Sequence, residues 1–220
     1  MKKQGFIKNK IPVIIGERQK EVESVFIKKA TKMNSEIFFA SDFTQDFKTD
    51  LLGNYQLKNV KTAVLAIHQL TSFIVNEHHI ETGFLKVVKN TSLKGRWQIL
   101  QESPKIICDT AHNKDGLLLT MNQLKKEKYN NLHIVLGVVS DKKLEDVLDL
   151  FPKKAHYYFC QPNIPRALHV DELVRKASEF ELYGEKYNSV NEAYNSAKGK
   201  AEKRDIIYIG GSTFVVAEIL

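Results

Sequence analysis

Residues 104–116, PKIICDTAHNKDG, decide how this chain folds. Ile106, Ile107 and Cys108 form a short apolar run that reads as a buried strand. The run stops at Asp109, and Thr110, Ala111, His112 and Asn113 follow. From Asp115 the apolar residues Leu117, Leu118, Met121 and Leu124 recur at helical spacing, as on a helix with one covered face. An acid and an imidazole therefore sit between the carboxyl end of a strand and the amino end of a helix. In an open parallel sheet that edge is where ligands bind, because the crevice opens there and free helix N–H groups favour anions.

The same alternation continues on both sides of the stretch. Apolar strand patterns fall at 96–100, 105–109, 133–139, 156–160, 182–184 and 205–210, and helical patterns at 115–127, 143–150, 170–179 and 190–202, with a last helix from Ser212. Apolar strands joined by amphipathic helices predict an α/β fold with a mostly parallel sheet covered on both faces. Towards the amino terminus, strands are expected at 11–16 and 36–40, a helix at 17–33, an irregular segment at 41–50, and a long helix ending near Phe73. His78–Leu93 turns polar and contains Gly83, so a domain boundary is expected near residue 80, with a short helix around 84–89.

Composition narrows the function classes. The 220 residues are 43% hydrophobic and carry 33 basic against 26 acidic side chains, a net charge of +7. A basic balance suits nucleic acid or small anions such as nucleotides. The lysines are scattered and no arginine-rich run with interleaved aromatics occurs, so no nucleic-acid partner is expected. There is no apolar run long enough to span a membrane and no signal-peptide pattern, and the two cysteines, Cys108 and Cys160, both lie in strand-like runs. Buried free thiols in a reduced, cytoplasmic setting follow, with no membrane contact; the chain is expected to be a monomer.

Several turns on the expected ligand edge carry polar groups. Asp109 could meet ribose hydroxyls or an ammonium, or simply cap the next helix; His112 could hold a carboxylate or phosphate or shuttle a proton, or be an ordinary surface residue. Arg96, opening a strand, offers a planar fork for phosphate, or is a solvated arginine. Asp141 in the turn after Leu136 and Arg166 in the Pro162–Pro165 loop point to the same edge, and Asp141 could equally cap a helix. Gly210-Gly211 lets the backbone come close to a ligand, with Ser212 at a helix start. Lys3 has no reason of composition to stand out. Neither G-x-x-x-x-G-K-S/T nor G-x-G-x-x-G occurs, so the sequence has no recognisable phosphate-cradling loop.

In order along the chain, these motifs resemble the folylpolyglutamate synthase/dihydrofolate synthase family of the Mur ligase superfamily. Residues 3–8 (KQGFIK) and 11–16 (IPVIIG) are similar to that family's K-A-G-I-x-K and P-V-V-x-G. Residues 52–59 (LGNYQLKN) resemble L-x-G-x-H-Q-x-x-N, and Gly95-Arg96 with residues 109–113 (DTAHN) resembles G-R followed by D-G-A-H-N. Gly137, Asp141-Lys142, Pro165-Arg166-Ala167 and Gly211-Ser212 follow in the family's order.

The resemblance implies a Rossmann-like carboxy-terminal domain over 81–220, preceded over 1–80 by the end of a P-loop-type ATPase domain. It implies that the P-loop and a magnesium-binding histidine and glutamate lie upstream, and that this part alone does not turn over. It further implies ATP and Mg2+ as cofactors, and dihydropteroate or folate and L-glutamate as substrates. In such enzymes ATP phosphorylates a carboxylate and the glutamate amine attacks the acyl phosphate. Carried over residue by residue, Lys3 would be a carbamylated lysine helping to hold a metal. Asn59 would contact the adenine side of ATP, Arg96 and Asp109 its phosphate and ribose, and His112 and Ser212 the incoming glutamate; Asp109 and His112 are the catalytic candidates. The sequence departs from the family pattern at Lys2, Tyr55, Thr110 (for glycine) and Lys114 (for proline). The competing expectations are a stand-alone nucleotide- or anion-binding module, and a superfamily ligase acting on cell-wall peptide precursors.

Overall fold

A computed structural model describes residues 6–140 and 144–220. Lys3, and Asp141 to Lys143, lie outside the described residues. Two compact units emerge: one runs to Asp50 and resumes over Tyr55–Ser92, and the other comprises Leu51–Asn54 and Leu93–Leu220. The division falls after Ser92, later than the polar shift near residue 80 suggests. The reason is local. His78–Leu93 is not a linker but two short helices, and Ile80 on the first joins Phe47, Val60 and Val64 in a core cluster.

In the first unit, β1 (Val13–Ile15) and β2 (Ile37–Phe39) pair in parallel, joined by α1 (Lys20–Lys32). Phe26 and Ala30 of α1 pack on Ile7, Val13, Ile15 and Phe39. After β2 comes a 3-10 turn, Ala40–Asp42, and then α2 (Gln56–His68). The expected helix to Phe73 stops at His68, and Phe73 and Ile74 are left exposed. The unit ends with α3 (Glu77–Phe84) and α4 (Val87–Thr91). Asn76 opens α3 with a capping box: its side chain accepts from the His79 N–H, and the His79 ring returns a bond to the Asn76 N–H. Because this cap uses histidine rather than glutamate or glutamine, the start of α3 was hard to see in sequence.

The second unit is built on six strands: β3 (Gln98–Glu102), β4 (Lys105–Cys108), β5 (Leu132–Leu136), β6 (His156–Cys160), β7 (Gly184–Tyr187) and β8 (Ile206–Gly210). Their spatial order is β3-β4-β8-β5-β6-β7, with β3 antiparallel and the other neighbours parallel. The helices between them are α5 (Lys114–Leu124), α6 (Glu145–Leu148), α7 (Val170–Ser178) and α8 (Val190–Lys200), and α9 (Thr213–Ala217) closes the chain. Strand side chains alternate between two cores. Ile107, Ile134, Leu136, Tyr157, Phe159 and Tyr208 face the apolar sides of α5, α6 and α7. Ile106, Val135, Tyr158, Ile207 and Ile209 face α8 and α9. Both faces are covered, which is why the inner strands β4, β5, β6 and β8 read as nearly continuous apolar runs. Each fully buried Leu117, Met121 or Leu124 contributes about 1.5–3 kcal/mol.

Two strands differ from expectation. The fifth expected pattern at 182–184 is instead the approach to β7: Leu182 is buried, Glu181 is left-handed (φ 60°), and the ladder starts at Gly184. A Cβ on Gly184 would lie 2.1 Å from the Tyr157 carbonyl oxygen, so this edge strand comes closer than any side chain permits. The first strand of the unit begins at Gln98 rather than Arg96, because Trp97 takes a left-handed backbone (φ 51°). No helix among the described residues is long and apolar enough to cross a membrane.

Candidate functional site

Strand order puts the site where β8 is inserted between β4 and β5. The chain leaves β4 for β5 and returns later to fill the gap, so the carboxyl ends of these three strands form a switch point of the sheet. In register, Cys108 lies opposite Ile209, and Leu136 opposite Gly210. The turns after them, at Asp109, Gly211 and Gly137, therefore share one edge. The antiparallel β3 brings its amino end to the same edge, because Gln98 pairs with Cys108. Arg96 is carried there by topology alone.

Asp109 organises this edge from within. Its N–H continues the ladder to the Ile209 carbonyl (3.1 Å). Its carboxylate is fully buried and accepts two backbone N–H groups, from Trp97 (2.7 Å) on Oδ2 and from Ala111 (2.7 Å) on Oδ1. The first bond fixes the left-handed Trp97, whose indole is itself in the core. The second closes the turn towards α5. Asp109 does not cap α5; Asn113 does, its side chain accepting from the Gly116 N–H at 2.8 Å. Burial and the neighbouring Asp109 charge push the Cys108 thiol up to about 12, so that thiol stays protonated.

Arg96 is exposed, and its Nη1 donates to Thr110 Oγ1 at 3.0 Å. Thr110 also donates its N–H to the Gly95 carbonyl (2.9 Å). Gly95 is left-handed (φ 68°), and a Cβ there would sit 2.7 Å from the Thr110 methyl, so only glycine fits. His112 is exposed, and its Nδ1 lies 2.9 Å from the Thr110 carbonyl. A carbonyl only accepts, so Nδ1 carries the proton and Nε2 is the free position. Arg96, Asp109, Thr110 and His112 thus form one hydrogen-bonded turn assembly.

Gly211, just after β8, is required by the packing within the turn. Gly211 is left-handed (φ 89°), and a Cβ would meet Leu136 Cδ1 at 2.5 Å and the Gly137 carbonyl at 2.8 Å. Ser212 is buried and caps the short α9, its Oγ accepting from the Phe214 N–H at 3.2 Å. That bond uses the hydroxyl as acceptor and leaves its proton for another partner. Arg166 stacks over the Phe214 ring, 4.8 Å from the centroid, and its carbonyl accepts from the Ser140 N–H at 2.9 Å.

In the first unit, Asn59 is exposed on α2 and donates through Nδ2 to Gln56 Oε1 at 2.9 Å. Beside it, Gly16, Arg18, Ser41, Lys58 and Lys61 line a cavity of about 380 Å³ at the ends of β1 and β2. Its basic groups are paired: Lys58 with Glu17, Lys61 with Asp46, and Arg18 with Asp42 and Glu23. Among the described residues no group of three or more His, Cys, Asp or Glu side chains is placed to hold a metal.

The sequence did not reveal a second buried cluster, at the opposite end of the sheet. His133 holds Tyr158 through Nδ1 (2.9 Å) and Asp205 through Nε2 (3.3 Å). Asp205 also accepts the N–H groups of Asn131 (2.9 Å) and Glu202 (2.8 Å). Burial holds His133 below its ordinary value against the opposing pull of Asp205. Asp205 lies below the carboxylate range because the hydrogen bonds it accepts outweigh the cost of its burial. A lone histidine inside an apolar strand gave no cue to these long-range partners.

Residues 95–213 match the family model described as Mur ligase, glutamate ligase domain. A probable bifunctional folylpolyglutamate synthase/dihydropteroate synthase of Haloferax volcanii is 31% identical over 179 residues, covering 80% of this chain and 20% of that protein. The dihydrofolate synthase/folylpolyglutamate synthase of Escherichia coli is 27% identical over 164 residues, covering 74% of this chain and 37% of its own length. The chain thus spans half or less of the length of these relatives. Among solved structures, E. coli FolC in complex with DHPP and ADP superposes with a TM-score of 0.83 at 22% identity, over 99% of this chain and 54% of that one. Mycobacterium tuberculosis folylpolyglutamate synthase complexed with ADP gives 0.84 at 19% identity, over 99% and 56%. At these identities the structures establish a shared fold.

Proposed function

Because the chain belongs to the Mur ligase family, through its glutamate ligase domain, we propose that it works in an ATP-dependent ligase joining L-glutamate to dihydropteroate or a folate. The observation that carries this reading is the switch-point edge, where Arg96, the Asp109 turn, His112 and the Gly211–Ser212 turn converge on the ends of β4 and β8. The activities named for the relatives supply the substrate class.

The reaction needs a carboxylate made electrophilic. Its oxygen takes the γ-phosphoryl group of ATP, and ADP leaves. The glutamate amine then attacks the acyl carbon; the amide bond forms, phosphate departs with the electron pair of the C–O bond, and the amine loses a proton. Arg96 offers a planar set of N–H donors to nucleotide phosphate at the edge. Asp109 acts from beneath, as a positioning residue: with both oxygens on backbone amides, it fixes the turn rather than reaching the ribose. His112 presents Nε2, which accepts a proton when neutral and grips a carboxylate when charged. Ser212 has a hydroxyl proton to donate to the same carboxylate. The first unit, with Asn59 on α2, is the end of the ATPase domain. A divalent cation would offset the phosphate charge during transfer; Lys3, the residue proposed to help hold it, lies outside the described residues. Buried thiols Cys108 and Cys160 suit a reducing cytoplasm.

Calorimetric titration with ADP and with L-glutamate tests the reading on wild type, Arg96→Ala and His112→Ala. Arg96→Ala should weaken ADP and spare glutamate, and His112→Ala the reverse. Glutamate affinity unchanged in His112→Ala removes that residue from the site. Dihydropteroate bound in preference to a cell-wall peptide precursor separates the two ligase classes.

A further inference from the structure

Arg96 is exposed, yet it is not a free side chain. Among the described residues, the hydrogen bond from its Nη1 to Thr110 Oγ1 (3.0 Å) is the one its guanidinium makes. Thr110 is only 8% exposed, so that bond forms on a nearly dry side chain at the foot of an arginine whose other donors meet no acceptor among the described residues. Thr110 is itself held three ways. Its N–H donates to the Gly95 carbonyl at 2.9 Å, its methyl packs on the bare Cα of Gly95, and its peptide joins Asp109 to Ala111, which the buried carboxylate bridges. The position resembles one where the family pattern has glycine. A glycine offers neither the hydroxyl nor the methyl.

We propose that Thr110 is a positioning residue for Arg96: its hydroxyl anchors one arm of the guanidinium and orients the remaining donors towards a phosphate oxyanion at the switch-point edge. A long, rotamer-rich side chain loses conformational freedom when it grips a ligand, and a tether made beforehand reduces that loss. The inference rests on the reading of Arg96 as a phosphate contact, and it assigns the orientation of that contact to a threonine standing where the family motif has glycine. Thr110 touches no ligand in this scheme; it acts through Arg96.

The test compares Thr110→Val, which keeps the shape and removes the hydroxyl, with Thr110→Ser, which keeps the hydroxyl and removes the methyl. The first readout is the heteronuclear NOE of the Arg96 Nε–Hε signal, assigned by its loss in Arg96→Lys. Thr110→Val should drop it towards the value of a free arginine, and Thr110→Ser should retain it. The second is ADP affinity by calorimetry: Thr110→Val should weaken binding roughly three- to tenfold, the range of one hydrogen bond, with Thr110→Ser within about twofold of wild type. An unchanged NOE in Thr110→Val overturns the proposal. ADP affinity unchanged in Thr110→Val while Arg96→Ala weakens it also overturns the proposal and leaves the phosphate role of Arg96 standing. If wild type and Arg96→Ala bind ADP alike, the phosphate reading of Arg96 falls instead, and the NOE still decides whether Thr110 anchors it.

Discussion

Replacing Asp109 by alanine is the sharpest perturbation of the site. The carboxylate is fully buried and accepts from Trp97 N–H and Ala111 N–H, both at 2.7 Å. Alanine leaves both amides in the interior without their acceptor. Each orphaned donor costs about 1–3 kcal/mol, so the gross loss is roughly 2–6 kcal/mol. Removing a buried charge returns part of its desolvation cost, which brings the expected net to about 2–4 kcal/mol. Asp109→Asn keeps one acceptor oxygen and turns an N–H towards the other donor, so it should cost about half as much. Urea unfolding reads this directly. Trp97 is the chain's one tryptophan, it is buried, and it sits at the affected turn, so its emission follows the second unit. A loss below about 1 kcal/mol for Asp109→Ala would refute the argument that this carboxylate holds the Gly95–Trp97 turn, since even one orphaned buried amide costs that much.

Other outcomes follow from the same geometry. His133 and Asp205 both have folded pKa values lowered from their ordinary 6.5 and 3.8. The unfolded chain therefore binds protons first as pH falls, so their stabilisation is present above those ordinary values and is lost below them: His133 from about pH 6.5 downwards, Asp205 from about pH 3.8. The groups facing His133 are Asp205, Tyr158, His156 and Lys200. Urea midpoints should fall from pH 7.5 to 5.0, and His133→Gln should flatten that slope; an unaltered slope would remove His133 as its source. Gly211→Ala should destabilise the second unit by more than about 1 kcal/mol, through a Cβ at φ 89° and 2.5 Å from Leu136 Cδ1. A wild-type urea midpoint in that variant would mean that the β8 turn relaxes freely.

The strand-helix alternation of the second unit was legible because both faces of the sheet are covered and the inner strands β4, β5, β6 and β8 are apolar runs, whereas the edge strands β3 and β7 are polar and were placed less well. The convergence of Arg96 with the Asp109 turn was also expected from sequence. What could not be read was the use made of Asp109. An acid after a strand looks the same whether it meets a ligand, caps a helix or ties down a backbone; here Asn113 caps, and Asp109 accepts the amide of Trp97, the residue that leads into β3. Trp97 gave no warning either, since a bulky residue at positive φ is exceptional and is stabilised only by long-range partners. The glycines at 210 and 211 read as room for a ligand, whereas Gly211 is required by Leu136 and Gly137 packed against it. The end of α2 was overestimated because Leu70, Phe73 and Ile74 continue an apolar pattern that the helix does not follow.

Amide chemical-shift mapping with Mg-ADP tests the central claim most directly, since it locates the ligand as well as detecting it. Saturable shifts gathered at Gly95–Trp97, Asp109–Asn113 and Gly210–Ser212 are predicted, with the Asn131–His133 end of the sheet silent. Shifts centred on that opposite end, or none at millimolar nucleotide, would contradict the assignment of the β4–β8 edge as the nucleotide site.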